Sequence, residues 1–222
     1  MNTTLTIDVL SDVVCPWCLI GKRRLEQALA MYAERHPDRP APLVRWHPFQ
    51  LNPDMPETGM SRADYVRRKF GDRADTVYDR VKAVGRSLDI PFQIDAIARQ
   101  PNTAAAHSLI GLAEVGEQQQ RLVESLFCAY FLEGVDLTRP DELARLAIDA
   151  GLSADAVQTC LDSAEARDAV RASDERARQM GVQGVPFFIF NNQVGLSGAH
   201  EPETLLQAMA QSLEPQAGAE QA

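Results

Sequence analysis

Leu5-Thr6-Ile7-Asp8-Val9-Leu10 alternates apolar and polar side chains and stops at Ser11-Asp12. A period of two is that of a strand, so this run predicts one. The pattern then changes: Leu19, Ile20, Leu25, Ala28, Leu29 and Tyr32 recur at helical spacing. Pro16 fits the first helical position, where its missing N–H costs nothing. The helix should stop near His36-Pro37, because a residue before proline avoids the helical region. Leu43-Val44-Arg45-Trp46 predicts a second strand, and the proline-rich 52–56 a turn or boundary. Residues 57–178 then read as almost wholly helical, with stripes at Leu109/Leu112/Ala113, Leu122/Val123/Leu126/Phe127/Tyr130/Phe131, Leu143/Leu146/Ala147 and Val157/Cys160/Leu161. Strand character returns at Pro186-Phe187-Phe188-Ile189-Phe190. Asn191-Asn192 suits a tight hairpin turn, since Asn tolerates positive φ, and Gln193–Leu196 is the expected partner strand. A last helix is expected from about Pro202 to Ser212, and the Gln/Ala/Gly/Glu-rich tail is expected to fray.

The order is strand–helix–strand, a helical block, then strand–strand–helix. This predicts an α/β fold: a discontinuous domain of residues 1–56 and 179–222 sharing one sheet, with 57–178 inserted as an all-helical domain. The 222 residues, 45% of them hydrophobic, suffice for a proper core. With 22 basic against 31 acidic residues the formal charge is −9, and no basic cluster stands out. Nucleic acid and anionic membranes are therefore poor partners. No apolar run approaches the ~20 residues that span a bilayer. The first ten residues lack a basic n-region, and a cut at ordinary signal-peptide length would damage the cysteine motif at 15–18. The expectation is a cytoplasmic protein.

That motif, Cys15-Pro16-Trp17-Cys18, falls where the strand pattern gives way to the helix pattern. Two cysteines three apart lie on one side of the first turn. A helix start offers free N–H groups and about half a positive charge, and both favour a thiolate, the nucleophile of disulfide exchange. In this reading Cys15 attacks and Cys18 resolves the mixed disulfide, while Pro16 rigidifies the turn and Trp17 adds an apolar surface. The alternatives are half a zinc site and two inert buried thiols. Structural zinc usually takes four ligands, whereas Cys128 and Cys160 are isolated in helical stripes and His36, His47, His107 and His200 show no ligand spacing. No metal is expected.

Gly184-Val185-Pro186 opens the later strand, and alone it reads as a strand start. Together with the CPWC and the intervening helical block, however, it resembles the DsbA-type thioredoxin-like oxidoreductases, most closely their FrnE-like branch. Ser11-Asp12, Gly21-Lys22, Phe49-Gln50-Leu51-Asn52-Pro53, Asn102-Thr103 with Ala106-His107, Ala129-Tyr130-Phe131 and Ser197-Gly198-Ala199 agree with that branch in order along nearly the whole chain. His200 departs from it, since the branch commonly has Gln there.

The resemblance implies a thioredoxin-like fold with a helical insertion, and a cis Pro186 against the CxxC that leaves the Val185 backbone free to pair with substrate. It implies no cofactor beyond a redox-active Cys15–Cys18 disulfide, with glutathione as a candidate co-substrate. The partner is a thiol or disulfide, protein or small molecule, and the chain a monomer or homodimer. Asn102 and His107 are candidates to face the groove, with a hydrogen-bonded helix-interior histidine the plainer reading of His107. Trp17 and Phe49 are candidates for an apolar docking surface, with core packing the alternative for Phe49. Asp12 reads as a dipole or capping device at the helix start, or as a group that tunes Cys15. Cys128 and Cys160 read as inert core thiols. Two other functions compete with thiol–disulfide exchange. One is a glutathione-dependent transferase or isomerase of the kappa or hydroxychromene-carboxylate isomerase type, which generally has serine first and lacks the second cysteine. The other is a redox-switched binding module.

Overall fold

The computed structural model describes residues 4–214. The tail expected to fray, 215–222, lies outside the described residues. Strand β1 (Thr6–Ser11) leads into helix α1 (Pro16–Arg35) and then β2 (Leu43–Pro48), which pairs parallel to β1. Parallel neighbours need such a crossover, and the helix supplies it. After the helical block, β5 (Phe187–Phe190) returns antiparallel to β1 on its other side, and β6 (Val194–Ser197) follows, giving the order β2-β1-β5-β6. Between them run β3 (Met60–Ser61), α2 (Arg62–Phe70), α3 (Ala74–Arg86), β4 (Arg99–Gln100), α4 (Ala104–Leu112), α5 (Glu117–Phe131), α6 (Pro140–Asp149), α7 (Ala154–Asp162) and α8 (Ala164–Gln179); α9 (Pro202–Gln211) closes the chain.

The period of two along β1 is used on both faces. Ile7 and Val9 join the main apolar cluster with Leu19, Leu25 and Ala28 of α1, while Leu10 joins Phe49, Ala177 and Val182 on the opposite face. β5 divides in the same way: Phe188 and Phe190 are fully buried in the main cluster, and Phe187 and Ile189 pack on the other. Each buried phenylalanine contributes about 1.5–3 kcal/mol through area removed from water. The main cluster continues into Leu109, Leu126, Phe127 and Leu143 of the helical block.

Three details depart from the sequence reading. Met60–Ser61 pairs with Arg99–Gln100, so the helical block also holds a two-residue ladder, too short to produce any periodicity. The segment 87–103 is largely non-helical. Gln193 belongs to the hairpin turn and not to β6: Asn191 and Asn192 both have positive φ, Gln193 N–H donates to Phe190 O at 2.9 Å, and pairing resumes at Val194. Asn191 also accepts from Thr6 N–H (2.9 Å) and donates to Ser212 O (3.0 Å), tying the turn to β1 and the end of α9.

Candidate active site

The chain turns sharply between β1 and α1. Cys15 N–H donates to Asp12 O at 2.9 Å, Cys15 takes the N-cap position with extended backbone, and Pro16 opens the helix. Cys15 is 4% exposed and Cys18 1%. Trp17, between them, is half-buried. Burial first, then its hydrogen bond and electrostatic interaction with Cys15, push the Cys18 thiol well above its ordinary value; the Asp12 backbone and Ser11 oppose this only in part.

The opposite wall comes from the loop before β5. The Val185–Pro186 bond is cis, and Cys15 Sγ donates to Val185 O at 3.6 Å. Two features hold this wall in place. Gly198 N–H donates to Pro186 O at 2.8 Å, and Arg24 of α1 reaches over to Ala199 O and the Glu201 carboxylate. Gly21 lies directly under Pro186, where a Cβ would come 2.9 Å from Pro186 Cγ and 3.2 Å from the Phe188 ring. A glycine inside a helix costs about 1 kcal/mol relative to alanine, and here it admits the proline. Gly21→Val should therefore destabilise by about 1–3 kcal/mol through overpacking and slow exchange by moving Pro186 off Cys15. Urea unfolding and thiol-exchange kinetics measure the two effects, and a variant as stable and as fast as wild type would remove this role.

Beneath the cysteines, Asp12 is completely buried, and its side chain does not cap α1. Oδ2 instead accepts from Leu51 N–H, in the segment after β2, at 2.8 Å. Oδ1 lies 3.4 Å from Nε2 of His107, itself 3% exposed, on α4. The two atoms are within ionic contact but not aligned as a hydrogen bond, and neither has another hydrogen-bond partner among the described residues. In place of a hydrogen bond at Nε2, His107 thus makes a close contact with the Asp12 carboxyl, ninety-five residues away in sequence.

The other candidates separate from this centre. Phe49 is 1% exposed and lies under the Arg178 guanidinium, whose centre is 4.3 Å from the ring, so it belongs to the core and not to a docking surface. Asn102 accepts from Ala104 N–H (2.9 Å), donates to Met55 O (2.6 Å) and lines a cavity of about 240 Å³ that Cys15 does not reach. Cys128 donates to Glu124 at 3.1 Å. Burial, then that carboxylate, pushes its thiol up to about 11, and burial also raises Cys160, so both keep their protons at neutral pH. Glu124 in turn joins α5 to α1 through Lys22 (2.6 Å) and Arg23. Burial would raise its carboxyl, but hydrogen bonds from those two cations outweigh it and hold the group down at about 2. Sequence reasoning used Lys22 only as part of the family match and passed over Arg24. Only the glycine in mid-helix carried a local signal of close packing.

The family model described as a DSBA-like thioredoxin domain matches residues 6–210. The chain belongs to that family. It is accordingly an enzyme of the thiol oxidoreductase class, in an α/β thioredoxin-like fold with a large helical content. A probable DsbA oxidoreductase from Streptomyces coelicolor is 28% identical and superposes with a TM-score of 0.81 over 94% of this chain and 89% of its own. A 2-hydroxychromene-2-carboxylate isomerase (16% identity, TM-score 0.69, 93% and 95% covered) has the same fold. So does the cytosolic disulfide reductase DsbM from Pseudomonas aeruginosa with GSH (17%, TM-score 0.63, 93% and 95% covered). Among the described residues no helix is long and apolar enough to cross a membrane, and no three His, Cys, Asp or Glu side chains are grouped as a metal ion would require.

Proposed function

We propose that this family member is a cytoplasmic thiol–disulfide oxidoreductase that works through Cys15 and Cys18. The observation that carries the reading is the approach of Cys15 Sγ to Val185 O, 3.6 Å away, at the start of α1 and beside the cis Val185–Pro186 bond. Cys15 thiolate attacks one sulfur of a substrate disulfide. The substrate S–S bond breaks, one thiolate leaves and takes up a proton, and the other half stays on Cys15 as a mixed disulfide. The Val185 backbone, released from Cys15, pairs with the extended substrate. Cys18 then gives up its proton and attacks the Cys15 sulfur. The second substrate thiol leaves, and the Cys15–Cys18 disulfide remains, to be reduced by an external thiol such as glutathione. Run backwards, the same steps oxidise a dithiol. In this proposal 1–56 and 179–222 form the exchange domain, and 57–178 the insertion that covers it.

Catalysed insulin reduction in a dithiol buffer tests the proposal. A wild-type rate no faster than the buffer alone would end it. The second reading, a glutathione-dependent transferase or isomerase, draws on the shared fold of the isomerase. Cys18 separates the two. Under the exchange mechanism Cys18→Ala accumulates Cys15 mixed disulfide and stops; full turnover of this variant with glutathione as co-substrate would favour the transferase. Equilibration in glutathione buffers yields the reduction potential of the pair, and with it the direction of electron flow.

A further inference from the structure

In a chain of formal charge −9, the stretch 62–86 holds eight of the 22 Lys and Arg but only four of the 31 Asp and Glu. That stretch is α2, the short turn after it, and α3. α3 packs on α1, the helix that carries the cysteines. Its closest link to the motif is Arg80, which is exposed and whose guanidinium carbon lies 5.6 Å from the centre of the Trp17 ring. Arg80 has no carboxylate at ion-pair distance among the described residues. By contrast Arg23 and Arg24 on α1 are both committed to carboxylates, as is Lys82, to Asp95 at 2.7 Å.

The positive charge continues behind Arg80. Arg62 is 8% exposed, donates to Tyr78 Oη at 2.7 Å and to Gln100, stands 5.3 and 5.4 Å from the Tyr65 and Tyr78 ring centres, and has no acidic partner among the described residues. Lys69 donates to Tyr65 Oη at 2.6 Å, and the same hydroxyl meets Asn52 at 3.4 Å, one residue past the Leu51 held by Asp12. Of the acids in the stretch, Asp64 is spent on Arg67, while Asp72, Asp75 and Asp79 leave the segment net positive. Asp12, the carboxyl beside the motif in sequence, is fully buried. The expectation that no basic cluster stands out is thus corrected by the composition of 62–86 itself; the fold adds that Arg62 lies over the Tyr65 and Tyr78 rings, Lys69 over Tyr65 and Arg80 over Trp17.

We propose that this segment selects disulfides that carry carboxylates, with Arg80 as the specificity-determining residue. The inference rests on the exchange reading above and names the substrate class of that same site. A carboxylate a few bonds from the scissile sulfur pairs with the Arg80 guanidinium at the edge of Trp17 while the sulfur meets Cys15. A cationic substrate meets repulsion at the same place. Each turnover reduces one substrate S–S bond to two thiols and oxidises one dithiol of the buffer.

Three small disulfides of similar size separate charge from chemistry: 3,3′-dithiodipropionate, bis(2-hydroxyethyl) disulfide and cystamine. Each kcat/KM is divided by the rate with free dithiothreitol, which removes intrinsic reactivity. Wild type should favour the dianion over the neutral compound by about three- to tenfold and disfavour the dication by a similar factor, as expected of exposed charges that steer and pair weakly. Arg80→Gln should bring the ratios near one, and Arg80→Glu should invert them. About 0.5 M salt should erase them in wild type, because the screening length falls to a few ångströms. Equal normalised rates in wild type, or ratios unchanged in Arg80→Gln, overturn the charge selection and leave the exchange reading standing. If wild type reduces none of the three faster than dithiol alone, and insulin no better, both fall together.

Discussion

Cys15→Ser should lose disulfide-exchange activity by about a thousandfold or more, to the uncatalysed rate of the buffer, because a hydroxyl is neither ionised at neutral pH nor able to form a mixed disulfide. No other thiol can stand in. Cys18 is 1% exposed, and its thiol is pushed up by burial and by Cys15. Cys128 is held at about 11 beside Glu124, and Cys160 is raised by burial. Cys18→Ser should behave differently, keeping the first attack and accumulating a Cys15 adduct visible by mass spectrometry. Cys128→Ser and Cys160→Ser should stay within about twofold of wild type, since neither thiol supplies a thiolate at neutral pH. Insulin reduction and adduct mass together read all four variants. A Cys15→Ser enzyme that kept more than about a tenth of wild-type rate would contradict a nucleophilic role for this sulfur.

Asp12→Ala should lower unfolding stability by about 2–5 kcal/mol, the cost of leaving buried polar groups without a partner. The substitution strands two buried groups at once: Leu51 N–H, now bonded to Oδ2 at 2.8 Å, and His107 Nε2, 3.4 Å from Oδ1. It also cuts a link between the loop that carries the cysteines and α4 of the helical block. Asp12→Asn keeps an acceptor for Leu51 and removes only the charge, so it should lose less, about 1–3 kcal/mol. Coupling between Asp12→Asn and His107→Gln in a double-mutant cycle should amount to about 0.5–3 kcal/mol. Urea unfolding measures each term. If the alanine variant fails to fold, the asparagine variant and the cycle still decide. An Asp12→Ala protein within about 1 kcal/mol of wild type would mean that the pair has relaxed into water or new partners.

Local order was legible because it depends on neighbours in sequence. The alternation of Leu5–Leu10, the helical spacing from Leu19 to Tyr32 and the proline at its first position match β1 and α1 to within a residue. Asn191-Asn192 signalled its turn through tolerance of positive φ, although the turn takes up one residue more than expected. The 60–61/99–100 ladder was illegible, since two residues carry no period. Phe49 was ambiguous for a related reason: a lone aromatic after a strand is either a surface or a core residue until something packs on it, and here Arg178 does.

The sequence by itself determined the chemistry available at residues 15–18. Spacing puts the two thiols on one turn at a helix start, where free N–H groups favour a thiolate. It also determined, through resemblance, the family and its fold. Only the tertiary structure decided what surrounds those thiols. Strand β1 lies between β2 and β5, so Val185 arrives beside Cys15 from 170 residues away and Leu51 arrives over Asp12. The packing of α4 brings His107 to the same carboxylate, and the packing of α3 brings Arg80 to Trp17. Propensity and periodicity act over a few residues, while burial and charge are satisfied by whichever groups the folded chain brings within a few ångströms. For that reason Asp12 looked like a helix cap in the linear sequence and is a buried partner of Leu51 and His107 in the fold.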